Sequence, residues 1–158
     1  MIFKKKKQEP SDKDFKFLPA NYVDYPAKIV LAWAKAIEGE EKFIAWLSEN
    51  GYPELVMSTY AIYLKNEARD WLMQNGYPHL MALINAAEGN KKAQSWLLVN
   101  NLELFFHVAM AVEDEPQSWK WIQHNVGIEI FILAKSIKKI KDKIEENHND
   151  IHVYGKDL

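Results

Sequence analysis

The histidine and acidic side chains are the residues of this chain that could bind a metal ion or transfer protons. His148 and His152 are four residues apart, close to Glu145 and Asp150, and two histidines at this spacing on a helix can bind zinc. They follow a Glu-Glu-Asn run in a polar stretch, which is more typical of a flexible terminal tail. The sequence therefore predicts no metal site.

Three adjacent acids, Glu113, Asp114 and Glu115, are the candidates for acid–base catalysis. Acids that precede a helix usually interact with its dipole, and Asp114 and Gln117 have the spacing of a capping pair. The chain has no glycine-rich phosphate loop and no nucleophile motif. It also has no cysteine, which excludes thiolate catalysis. We therefore predict a non-catalytic protein with no catalytic residue and no cofactor.

Charge is distributed unevenly along the 158 residues. Residues 1–35 carry eight basic and four acidic side chains, residues 36–117 five and twelve, and residues 118–158 seven and six. Arg69 is the only arginine, and arginine is the usual residue for recognising phosphate and guanine. The acidic middle and the single arginine therefore weigh against nucleic-acid binding.

Membrane association has little support in the sequence. Lysines at positions 4–7 could attract anionic lipid, but weakly without a second anchor. No apolar run is long enough to span a bilayer. The absence of cysteine fits a cytoplasmic protein, and that is the location we predict.

An internal repeat supplies the elements that must position any functional residue. The segments WLSENGYPEL and WLMQNGYPHL, residues 46–55 and 71–80, are nearly identical. Tryptophan recurs every 25 residues, at Trp46, Trp71, Trp96 and Trp121, and asparagine follows four residues later, at Asn50, Asn75, Asn100 and Asn125. A small residue stands 15 after each tryptophan, at Ala61, Ala86, Ala111 and Ser136. We interpret these columns as the stacking residues of a repeat protein.

Each unit has the pattern of two short helices. Gly51 and Gly76 are placed to end one helix, since glycine readily adopts the left-handed conformation. Pro53 and Pro78 suit the first turn of the next helix, where a missing N–H costs nothing. Helices of about 8 to 12 residues are marginal alone, so stacking on neighbouring units must stabilise them.

The predicted fold class is all-α, a right-handed stack of four to five helical hairpins. With its 25-residue period the chain resembles the α-solenoid class in general, and no named family. The repeat domain is predicted at 21–146, with a basic tail at 1–20 and a second tail at 147–158. Apolar residues spaced 3, 4, 3 and 4 from Ile130 to Ile144 predict a longer amphipathic capping helix.

Packing between units fixes the residue types of the repeating columns. Selection for binding a partner should therefore appear at positions that differ between units. Two such positions lie one helical turn apart, 11 and 14 residues after each tryptophan. The predicted partner-binding face comprises Met57, Tyr60, Asn85, His107, Met110 and Lys135. Exposed apolar groups in such a stripe mark interaction sites. We therefore expect a non-catalytic module that binds an unknown protein or peptide.

Two alternatives have weaker support. A helical repeat can serve as a nucleic-acid scaffold, but that requires a basic face. The stripe from Ile130 to Ile144 could instead form a helix pair between two copies, which would make the chain a structural, self-associating protein through its C-terminal helix.

Overall fold

The computed structural model describes residues 24–156, with side chains as far as His148. Within that range it contains nine α-helices and no strand. The helices are α1 (Ala27–Ile37), α2 (Glu41–Glu49), α3 (Pro53–Ile62), α4 (Asn66–Gln74), α5 (Pro78–Ala87), α6 (Lys91–Val99), α7 (Glu103–Val112), α8 (Pro116–Asn125) and α9 (Ile128–Lys156). The all-α stack of short helices is confirmed, while its handedness stays a prediction.

The odd-numbered helices form an inner layer and the even-numbered helices an outer one. Most residues of α3 and α5 are buried, because these helices are apolar over most of their surface. By contrast, α2 buries only Leu47, and α4 only Ala68 and Leu72, as expected of an amphipathic helix with a wet face. The small-residue column lies between helices, and Ala61, Ala86, Ala111 and Ser136 are at most 3% exposed.

The inner helices close into a ring. Each of α1, α3, α5 and α7 packs on the next odd helix, and α9 packs both on α7 and on α1. Ile130, Leu133, Ile137 and Ile140 of α9 are buried in this ring. The C-terminal helix thus covers the last unit, as predicted, and also joins it to the first unit.

Polar contacts accompany the apolar closure of the ring. Glu38, at the end of α1, accepts hydrogen bonds from Ser136 Oγ at 3.1 Å and Lys139 Nζ at 3.0 Å. These bonds, with that of Lys139 the largest effect, hold the pKa of Glu38 below its usual value. On the other side of α9, Lys141 Nζ donates to Glu113 at the end of α7, at 2.8 Å.

The predicted capping pair of Asp114 with Gln117 is wrong. The residue that precedes α8 is Glu115, and no side chain caps this helix. Asp114 instead binds Lys138 Nζ at 2.7 Å, and this hydrogen bond raises the pKa of Lys138. The helix begins at Pro116, so Asp114, with φ of 69°, lies one residue before the N-cap position, and closure of the ring brings Lys138 of α9 within reach of its carboxylate.

Left-handed residues recur at two positions of the unit. Between units they are Gly51, Gly76 and Asn101, with φ of 83°, 84° and 59°. Within units they are Gly39, Leu64, Gly89 and Asp114, with φ of 99°, 67°, 96° and 69°. The two predicted glycine stops are confirmed. Leu64 stands out, because a leucine seldom adopts positive φ.

The predicted tails are only partly described. The basic tail at 1–20 lies outside the described residues. The second tail, 147–158, overlaps the end of α9, which continues as helix to Lys156. Its mobility stays a prediction, and the side chain of His152 lies outside the described residues.

Candidate functional site

The outer helices stand apart from one another, which leaves grooves between them. Each odd helix from α3 to α9 packs on the even helix that precedes it, and α3, α5 and α7 also on the one that follows. In the described range, no even helix packs on another even helix. We call the gaps the outer grooves: the first lies over α3 between α2 and α4, the second over α5, and the third over α7. The predicted face lies on the odd helices at these grooves.

The first outer groove has the most apolar part of the predicted face. Met57 is half-buried and Tyr60 is 38% exposed. Tyr63, also partly exposed, donates its hydroxyl hydrogen to the carbonyl oxygen of Ile37 at 2.6 Å. An exposed tyrosine beside a methionine offers a partner a rigid aromatic surface and an adaptable apolar one.

The second outer groove is polar, and its groups are used within the chain. Asn85 accepts a hydrogen bond from Arg69 Nη1 at 3.3 Å. Arg69 also pairs with Glu88 and donates to the carbonyl oxygen of Ala61 at 3.0 Å. The single arginine therefore ties α4 to α3 and α5 instead of facing solvent as a free cation.

The third outer groove contains an aromatic stack. The His107 ring lies on the Trp121 ring of α8, with centroids 4.1 Å apart and planes 16° apart. Its Nδ1 is 2.9 Å from Ser118 Oγ, and its Nε2 is 3.8 Å from Glu103. Burial lowers the pKa of His107, although Glu103 opposes this shift. Met110 is half-buried on the same helix.

Lys135 ends the row beyond α8. It is exposed, and its Nζ lies 4.8 Å from the centroid of the Trp119 ring and 5.5 Å from that of Phe131. The six predicted residues thus do not converge on one pocket. They form a row with one or two members per unit, which is apolar at Met57 and Tyr60, polar at Asn85, aromatic and apolar at His107 and Met110, and cationic at Lys135.

The repeating tryptophans and asparagines build the joints. Trp46, Trp71, Trp96 and Trp121 are half-buried and pack against the core. The carbonyl oxygen of each accepts a hydrogen bond from the side-chain amide of the asparagine four residues later, at 2.7 to 2.9 Å. The asparagines Asn50, Asn75, Asn100 and Asn125 are exposed at the helix ends, outside the stacked interior.

A pocket of about 170 Å³ at the end of the ring has no counterpart in the sequence-based prediction. Its apolar lining comes from α3, α5, α9 and the turns after α3, and consists of Ile62, Leu64, Ile84, Ala87, Ile137 and Ile144. Glu88, Lys141 and Glu145 complete it. The signal that could have located it is Leu64, at a unit position where the other turns have glycine or aspartate. We call it the ring-end pocket.

Known proteins offer no guide to these surfaces. No protein-family model matches the chain, and no curated protein or solved structure is significantly similar to it. Among the side chains that the structure describes, no cluster of histidine and acidic groups could hold a metal ion. None of the described helices combines the length and apolarity needed to cross a membrane. What the protein binds is therefore inferred from its own residues.

Proposed function

We propose that the protein is a non-catalytic module that recruits a protein or peptide through its outer grooves. The observation that carries this is the separation of the even helices, which leaves Met57, Tyr60, His107 and Met110 at least partly accessible. These positions differ between units, whereas the repeating columns are occupied by internal packing and joint hydrogen bonds. Absence of cysteine is compatible with a cytoplasmic location, which the proposal includes.

Two features of the described residues favour a protein partner over the alternatives. Arg69, Lys138 and Lys141 are ion-paired with acids of the same chain, which reduces the cationic surface that a nucleic acid would need. The apolar residues of α9 from Ile130 to Ile140 are buried within the ring. Self-association through that stripe would therefore have to unpack the chain first.

The test is a pair of double variants. The groove variant, Tyr60→Lys with Met110→Lys, places charge in the first and third outer grooves. The control variant, Met73→Lys with Leu98→Lys, introduces the same two charges on α4 and α6, at residues that are 58% and 50% exposed. Far-UV circular dichroism should show native helix content for both. In a quantitative pull-down from host lysate, the groove variant should lose a specific partner by about tenfold or more, which corresponds to about 1.4 kcal/mol.

The control decides the interpretation. A partner that the control pair retains and the groove pair loses supports the proposal. Partners retained equally by both variants would show that the outer grooves are not the binding surface.

A further inference from the structure

The ring-end pocket lies beside the part of α9 that extends beyond the shorter helices packed around it. The inner helices α3, α5 and α7 have 10 residues each, whereas α9 has 29. Ile137 of α9 lies at the unit position of Ile62, the last residue of α3, and Ile144 lies two turns further along α9; Ile62 and Ile84 complete the apolar wall. None of the described side chains fills this space, which leaves an apolar concavity.

Leu64 is unusual in both conformation and exposure. It adopts φ of 67° where the equivalent residues are Gly39, Gly89 and Asp114. It is also 53% exposed, although it lines the pocket. A leucine at positive φ is unfavourable, and residues held in such conformations cluster at ligand-binding sites. The second unit thus carries an apolar side chain at the pocket where glycine or aspartate would satisfy the turn.

The charges at the pocket favour a cation. Arg69 is neutralised by Glu88, and Lys141 by Glu113 at 2.8 Å. Glu145 is left 3.9 Å from Lys141, with 61% of its side chain exposed. Three acids and two bases give this group a net charge of −1, and the least compensated carboxylate is the most exposed.

We propose that the ring-end pocket binds an aliphatic or aromatic side chain of a partner peptide, with a lysine or arginine next to it. A volume of about 170 Å³ is adequate for one such side chain, since an apolar cavity of about 150 Å³ accommodates benzene. The apolar group contacts Leu64, Ile84 and Ile144, and the neighbouring cation pairs with Glu145. This site includes none of the six residues of the predicted partner-binding face, so it is independent of the function proposed above.

Nuclear magnetic resonance on protein with labelled isoleucine methyl groups tests the proposal. The probe is the end-blocked peptide Gly-Leu-Lys-Lys-Gly, at concentrations up to about 10 mM, the range expected for a contact worth a few kcal/mol. The methyl signals of Ile62, Ile84 and Ile144 should shift and saturate. The matched peptides Gly-Ala-Lys-Lys-Gly and Gly-Leu-Glu-Glu-Gly should each bind at least roughly fivefold more weakly. The first lacks the leucine side chain, and the second lacks the lysines.

Variants then locate the contact. Leu64→Asn suits the left-handed turn, so it should fold, and it should weaken binding roughly fivefold, the share expected for a half-exposed leucine. Glu145→Gln should remove the preference for lysine over glutamate in the peptide. Leu98→Asn changes a similarly exposed leucine outside the pocket and should leave affinity unchanged.

Three results would overturn the proposal. The first is no saturable methyl shift with the leucine–lysine peptide, and the second is equal binding of the alanine peptide. The third is an equal loss of affinity in the Leu64→Asn and Leu98→Asn proteins. None of these outcomes depends on whether Tyr60 and Met110 bind a partner.

Discussion

Replacing His79 by leucine tests whether the stack holds a neutral imidazole in its interior. His79 of α5 is fully buried, and its ring stacks on Phe105 with centroids 6.2 Å apart. Burial lowers the pKa of His79 to about 3, whereas histidine in an unfolded chain titrates near pH 6.5. Protonation therefore favours the unfolded chain. The stabilisation is complete above about pH 6.5 and is lost progressively as the pH falls towards 3.

The size of the effect follows from the two pKa values. Between pH 8 and pH 5 the free energy of unfolding should fall by about 2 kcal/mol through His79, because pH 5 lies about 1.5 units below the unfolded pKa and each unit is worth about 1.36 kcal/mol. Leu104 occupies the equivalent position of α7, so leucine is a side chain that the repeat already accommodates. His79→Leu should remove this part of the pH dependence.

Urea unfolding followed by far-UV circular dichroism at pH 8, 7, 6 and 5 measures this pH dependence of the free energy of unfolding. The difference between wild type and variant isolates His79 from other groups. Glu38, for example, has a pKa below the usual value of 4.5, so its stabilisation is present above that pH and is lost below it. Asn75→Ala, a non-titrating change at the neighbouring joint, should keep the wild-type slope. If the His79→Leu protein also keeps the wild-type slope of stability against pH, burial does not hold the imidazole neutral.

Three further changes probe the joints, the ring and the left-handed turn. Asn75→Ala removes the hydrogen bond to the Trp71 carbonyl oxygen, 2.8 Å long, and should lower the free energy of unfolding in urea by about 0.5–1 kcal/mol; no change would mean that the column does not cap. Lys141→Met breaks the largely buried pair with Glu113 and should cost about 1–2 kcal/mol in the same assay, with faster hydrogen exchange in α9; unaltered exchange would argue against its part in ring closure. Leu64→Asn relieves the left-handed strain and should raise stability by up to about 1 kcal/mol, and a lower melting temperature would contradict this.

The joints of the stack are predictable because they depend on residues one or two turns apart. At Gly51 and Gly76 the residue type alone predicts the left-handed conformation, because glycine adopts positive φ readily. Leu64 shows where that logic ends, since it takes the same conformation although leucine does not favour it. The geometry of the repeat imposes it, and only the position in the unit reveals it.

Ring closure could not be predicted in the same way. The contact between Glu38 and Lys139 joins residues 101 positions apart, and it depends on the rotation that accumulates over four units. The ion pair of Asp114 with Lys138 has this same origin, because Lys138 comes within reach only when α9 closes the ring. The ring-end pocket follows from closure too, so periodicity alone does not reveal it.

The predicted face was located by its position in the unit, but its surroundings were not. Amphipathic patterns place the even helices outside, yet they say nothing about the distance between those helices. That distance decides whether Tyr60 and Met110 are covered or accessible. The sequence also gives no sign that Asn85 is bonded to Arg69, because that contact joins different units.

Site-specific photo-crosslinking tests the central claim, that the positions which differ between units in the outer grooves bind the partner. Benzoylphenylalanine would replace Tyr60 or Met110 in the grooves, and Met73 or Leu98 on the exposed even helices. The same partner should be crosslinked from Tyr60 and Met110 and not from the two control positions. Equal crosslinking from all four positions, or crosslinking from the controls alone, would contradict the claim.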